Sequence, residues 1–230
     1  MEPIDYVSAL RRELAEFGAC LTGDLAAPVE HCGDWDLYDL ADHLGWGNLW
    51  SAAAVTERRG DFDPPPAPRG RDALTDWYRG TCEHLLTALD TDPEAPAWTL
   101  APPRTVSFWQ RRRCMETLIH RWDAQHALGT PGPLAPALAA DGVAEVFDTM
   151  APRQVRLGRA SEPARAVAFT AADAGTTWTW GSGEPVAMLS ATAANLLLLL
   201  WGRLAPSDEA ITREGDVAAV QAVLAGALVP

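Results

Sequence analysis

Residues 108–127 read FWQRRRCMETLIHRWDAQHA, with Glu116 and His120 four apart behind three arginines and among bulky apolar residues. The run reads as a helix, and on a helix residues i and i+4 stand on one face about a turn apart. A carboxylate and a neutral imidazole are ordinary ligands for zinc and similar divalent ions. The pair alone is a weak signal, because Glu–His pairs also occur on solvated helix faces. A metal would need a third ligand from another helix.

The helix that carries the pair spans about 105–128 and stops at Gly129, with Pro131 and Pro133 behind it. Upstream, residues 4–22 place Ile4, Val7, Leu10, Leu14 and Phe17 at helical spacing. A second helix starts from Asp36 as N-cap, with Asp39 in its first turn, and runs to about Arg59 before Gly60. GDFDPPPAPRGR (60–71) is a loop, since consecutive prolines cannot continue a helix. A third helix takes 71–90, and residues 91–104, with Pro93, Pro96, Pro102 and Pro103, are loop again. Residues 1–132 are therefore expected to form a four-helix bundle, an architecture whose facing helices build metal sites.

GTPGPLAP (129–136) reads as a linker, and residues 133–230 change character. A helix over 135–157 is followed by two strand-like runs, ARAVAFTA and TTWTWGSG, joined near Asp173–Gly175. PVAML adds a third short strand, ATAANLLLLLWGRL a buried helix and Asp216–Leu228 a final one. The fold class is α+β in two domains.

His43 is the candidate third ligand, mid-helix in an apolar stretch that a bundle could set beside the fourth helix. Two histidines and one carboxylate leave a coordination position open, as in catalytic rather than structural sites. The set also suits iron, nickel or manganese. Trp46 and Trp50 share the face of His43, and Trp109, Arg113 and Asp123 share that of Glu116 and His120. The tryptophans are candidates to line a pocket, although with ten in the chain most must be core. Asp123 could orient a ligand histidine, and Arg112 or Arg113 could meet an anionic substrate with a bidentate fork. Arg111 reads as solvated. His31, His84 and His126 have no partner at ligand spacing and read as structural or exposed.

The totals narrow the classes. Apolar residues make up 48% of the 230, so a packed protein is expected, and a net charge of −13 argues against non-specific binding of nucleic acid or an anionic membrane. The amphipathic, acidic start is not a signal peptide, and the apolar run Ala193–Trp201 is too short to span a bilayer. A cytoplasmic protein, simplest as a monomer, is expected. The four cysteines form no CxxC pair and read as reduced, small apolar side chains. Cys114, two residues before Glu116, projects to the other side of the helix and is not read as a nucleophile.

W-D-x-x-D-L-x-x-H-L at Trp35–Leu44, with R-x-x-E-T-x-x-H-R-x-D-A at Arg113–Ala124, resembles the mycothiol-dependent maleylpyruvate isomerase family of the DinB/YfiT-like superfamily. The C-terminal half, with its LLLLLWGR, is similar to the sterol-carrier-protein-like domain that follows the bundle in that family and closes its active site. The resemblance implies a metal, zinc first, on His43, Glu116 and His120. It also implies mycothiol as thiol cosubstrate and a small electrophilic, possibly anionic substrate. Arg203, in WGR, matches an arginine implicated in substrate binding at the domain interface. Arg71 and Arg79 both remain open as the counterpart of a family basic residue in the third-helix region. The activity implied is isomerisation or transfer of the thiol to an electrophile. Two alternatives stand beside it: a thiol-independent hydrolase or cyclase on the same fold, and a non-catalytic metal-binding regulatory protein.

Overall fold

The computed structural model describes residues 4–230. Four helices come first: α1 (Tyr6–Cys20), α2 (Leu37–Thr56), α3 (Arg71–Leu89) and α4 (Val106–Ala127). Local chemistry sets their starts. The Asp5 carboxylate accepts from the Ser8 amide at the head of α1. Asp36 and Asp39 form a reciprocal capping box at the head of α2, satisfying two amides that have no partner inside the helix.

In the bundle α1 packs on α4, α2 on α3, and α2 also lies against α4. Leu10, Leu14, Phe17, Leu40, Leu44, Leu85 and Leu118 are buried between them. A charge pair crosses the interior: Arg121 Nε of α4 donates to Glu13 Oε2 of α1 at 2.9 Å, both side chains being buried. Removing either partner would strand a buried charge, so the pair fixes α1 against α4. Two glycines let α2 approach its neighbours. A Cβ at Gly45 would meet the Trp77 ring at 2.3 Å, and one at Gly47 would meet Arg113 Nη1 at 2.6 Å.

The proline-rich loop folds back on α2. The Ala67 amide donates to Asp42 Oδ1 at 2.7 Å, and Tyr38 Oη donates to the Ala67 carbonyl at 2.7 Å. Trp50 Nε1 donates to the Gly60 carbonyl at 3.1 Å.

Contacts divide the chain into two units, Met1–Gly132 and Pro133–Pro230. The second opens with α5 (Pro136–Glu145), a π-helical turn (Val146–Met150) and α6 (Ala151–Arg156), so the single helix expected over 135–157 contains one wide turn. Strands β1 (Val167–Ala171), β2 (Thr176–Trp180), β3 (Ala187–Ala191) and β4 (Thr212–Gly215) form one mixed sheet in the order β2-β1-β3-β4. β1 pairs antiparallel with β2 and parallel with β3, and β3 pairs antiparallel with β4. Helices α7 (Ala193–Leu200) and α8 (Val217–Leu224) pack on this sheet, burying Phe169, Leu189, Leu196 and Val223. No described helix is long and apolar enough to cross a membrane.

Candidate metal centre

Packing α2 on α4 brings His43, Glu116 and His120 together. One ligand atom from each lies within 4.8 Å of the other two. His43 Nε2 is 3.2 Å from Glu116 Oε1, and the two imidazoles meet edge to face with centroids 5.2 Å apart. Ligands ~2.1 Å from one tetrahedral ion sit ~3.4 Å apart. The His43–Glu116 spacing is therefore already close to that of a metal-bound pair.

Each candidate ligand is in contact with a further residue. His120 Nδ1 is 3.0 Å from Asp123 Oδ2, and a carboxylate can only accept, so Nδ1 carries the proton and Nε2 keeps its lone pair for a metal. Burial pulls His120 below its ordinary pKa and outweighs the Asp123 carboxylate, which keeps the ring neutral. Glu116 Oε2 accepts from Arg113 Nη1 at 2.6 Å, with Arg112 Nη2 at 3.5 Å, which leaves Oε1 to point at His43. Burial alone would raise the Glu116 pKa, but Arg113, Arg112 and His43 together hold it well below the usual carboxylate range. The charged form, the one that ligates, is the form present. Trp35 lies against the His43 ring, centroid to centroid 4.9 Å.

Arg113 is turned inward. Its guanidinium is 2% exposed, and besides Glu116 it donates to Asn48 Oδ1 at 2.7 Å and the Leu44 carbonyl at 3.2 Å. The anion that meets this fork is the protein's own carboxylate. Trp109 is likewise core: it is 1% exposed, and its indole N–H goes to the Trp98 carbonyl at 2.5 Å. Trp46 and Trp50 stack at 5.5 Å and are half-buried. His43 and Trp46 open onto a recess of about 550 Å³, lined also by Trp35, Asp39, Asp42, Asp63, Pro64 and Pro66. Besides His43 its lining carries three carboxylates and no lysine or arginine.

Arg203 lies in the second unit, just past α7, where it donates to the Trp201 carbonyl at 2.6 Å and sits over the Trp201 ring. Arg71 ties the α1–α2 loop through the Leu21 and Gly23 carbonyls, and Arg79 pairs with Asp76 on the surface.

Three arrangements were not read from the sequence. Trp35 stands inside the quoted motif, yet only the fold shows that it covers His43. Cys32 Sγ lies 3.7 Å from Asp123 Oδ2, and with His120 and Asp123 it forms a second group of ligand atoms. Glu30, His31 and His126 form a third, so the two histidines read as unpartnered meet in space.

Residues 7–125 match the family described as the mycothiol maleylpyruvate isomerase N-terminal domain, and residues 137–222 match its C-terminal domain. Two uncharacterised proteins from two strains of Mycobacterium tuberculosis are each 24% identical over 239 residues, spanning 94% of this chain and 91% of theirs. A crystal structure of the mycothiol-dependent maleylpyruvate isomerase superposes with a TM-score of 0.68 at 17% identity, over 93% of each chain. That of a mutant form of it gives 0.70 at 16%, again over 93% of each. With both domain families matched in order along the chain, this protein belongs to the mycothiol-dependent maleylpyruvate isomerase family.

Proposed function

We propose that this protein is a metal- and mycothiol-dependent isomerase acting on a small electrophile with a conjugated double bond, of which maleylpyruvate is the first to try. The observation that carries the reading is the convergence of His43, Glu116 and His120, each in contact with a further side chain: Trp35, Arg113 and Asp123. Family membership supports the thiol and the isomerisation. The donor set fits zinc: two imidazoles and one ionised carboxylate, with a ligand atom of each within 4.8 Å of the others.

When bound, such an ion stabilises a thiolate at neutral pH and so supplies the nucleophile. The chain's residues do the rest. Asp123 keeps the His120 Nε2 lone pair directed at the site. Arg113 and Arg112 keep Glu116 ionised and confine it to coordination through Oε1. Trp35 fixes the His43 ring and, with Trp46, walls the recess through which the thiol enters. Addition of the thiol to the double bond makes the former alkene a rotatable single bond. Rotation and expulsion of the thiol then return the geometric isomer with no net change in atoms. Arg113 acts here as a positioning residue behind Glu116. The counter-charge for an anionic substrate is assigned to Arg203 on the strength of its place in WGR.

The test is isomerisation of maleylpyruvate by the zinc-loaded chain with and without mycothiol, followed by product analysis. Isomerised substrate only when thiol is present supports the reading. A released thioether adduct would make the enzyme an S-transferase, and equal turnover without thiol would overturn the thiol-dependent reading. Arg203→Lys should raise KM for an anionic substrate more than it lowers kcat.

A further inference from the structure

We infer that Glu30, His31 and His126 form a second site for a divalent transition ion of the zinc, nickel and copper group, separate from the His43 centre. The ligand atoms of the three residues lie within 4.8 Å of one another. His126 Nε2 is 2.9 Å from Glu30 Oε2, and His31 Nε2 is 4.0 Å from the same oxygen. A hydrogen bond accounts for the first distance but not the second. Two imidazole nitrogens within 4.0 Å of one carboxylate oxygen is an arrangement that a shared ion would tighten.

The rings are held in that arrangement. Trp122 stacks on His126 at 4.8 Å with the planes 8° apart, and His126 stacks on His31 at 5.7 Å. Stacking fixes where each Nε2 points, which lowers the ordering cost of binding. The turn carrying Glu30 and His31 is itself pinned: the Val29 amide donates to the Trp35 carbonyl and the Cys32 amide to the Val29 carbonyl. Both histidines are half-buried and Glu30 is exposed, so water can complete the coordination. The net charge of −13 favours cations at the surface.

The two sites are distinct. His126 lies six residues beyond His120 on α4, ~9 Å along the axis and rotated to another face. They are joined by the α1–α2 loop, which sets Trp35 against His43 and His31 against His126. An ion on the outer site would clamp this loop to the end of α4.

The full chain, stripped of metal, would be dialysed against micromolar Zn²⁺ and its bound zinc counted. Wild type is expected to hold about two ions and His31→Gln/His126→Gln about one. His43→Gln/His120→Gln should also hold about one, on the outer site. Cu²⁺ should quench part of the tryptophan emission, and Trp122→Phe should remove that part. Circular dichroism of each variant shows that it has folded, and the single variant His126→Gln serves if the double does not fold. Equal zinc in wild type and the folded His126→Gln chain, with no quenching that depends on Trp122, would overturn the second site. Failure of the inner site reads differently: His43→Gln/His120→Gln would then bind as much as wild type.

Discussion

Arg113→Met tests whether Glu116 is a ligand held in place from behind. The substitution keeps an apolar stem of similar reach and removes the guanidinium that donates to Glu116 Oε2 at 2.6 Å and Asn48 Oδ1 at 2.7 Å. Breaking a buried ion pair by deleting one partner costs ~3–5 kcal/mol. Glu116 keeps some solvent, its side chain being 18% exposed, and keeps Arg112 at 3.5 Å and His43 at 3.2 Å. The low end applies, about 3 kcal/mol in the metal-free protein. Metal affinity should fall ~10–100-fold, the usual effect of removing a group that orients a ligand. The sign with pH follows from the depressed Glu116 pKa. The pair's stability is complete above the ordinary carboxyl value of 4.5 and is lost as pH falls toward the lower folded value. Arg113→Met should therefore flatten the acid limb of the stability curve. Urea unfolding of the apo protein from pH 3 to 7 reads the first quantity, and zinc competition with a chromophoric chelator reads the second. An unchanged midpoint together with unchanged zinc affinity would refute the role given to Arg113.

Other outcomes follow from the same geometry. Gly47→Ala puts a methyl 2.6 Å from Arg113 Nη1 and should cost ~1–3 kcal/mol by overpacking while weakening zinc binding. Gly80→Ala, in α3 with nothing within 4 Å of its Cβ, should instead stabilise by up to ~1 kcal/mol, and urea midpoints compare the two. Asp123→Asn, which can present its amide instead of an acceptor to His120 Nδ1, should lower zinc affinity ~10–100-fold by the same competition assay. Cys82, pushed by burial from 9.0 to about 11, should alkylate at pH 8 ~100-fold more slowly than a thiol of ordinary pKa, as read by mass-resolved labelling.

The helices were legible because their signals are local. The period of Leu10, Leu14 and Phe17, the Asp36–Asp39 box and the glycine and proline stops all act within a few residues. The clustering of Glu116 and His120 was legible for the same reason, and that of His43 with them followed from the expectation that α2 and α4 face each other. Helical period could not say which residues on the shared face are covered by other side chains. Arg113 and Trp109 share the face of Glu116, yet Gly47, Asn48 and Trp98 enclose them. β4 was missed because TREG is a polar, exposed edge strand with no buried alternation to announce it. Glu30 and His126 are 96 residues apart, and nothing local links a turn before α2 to the last turn of α4.

The central claim, that these three residues hold a metal that takes a thiol, is tested most directly by loading the full chain with Co²⁺ and recording its absorption before and after adding mycothiol. The account predicts a d–d spectrum in wild type that is absent from His120→Ala, and a new sulfur-to-cobalt charge-transfer band when the thiol is added. A d–d spectrum that thiol leaves unmoved would contradict thiol chemistry at this centre. No cobalt spectrum dependent on His120 would contradict the metal centre itself.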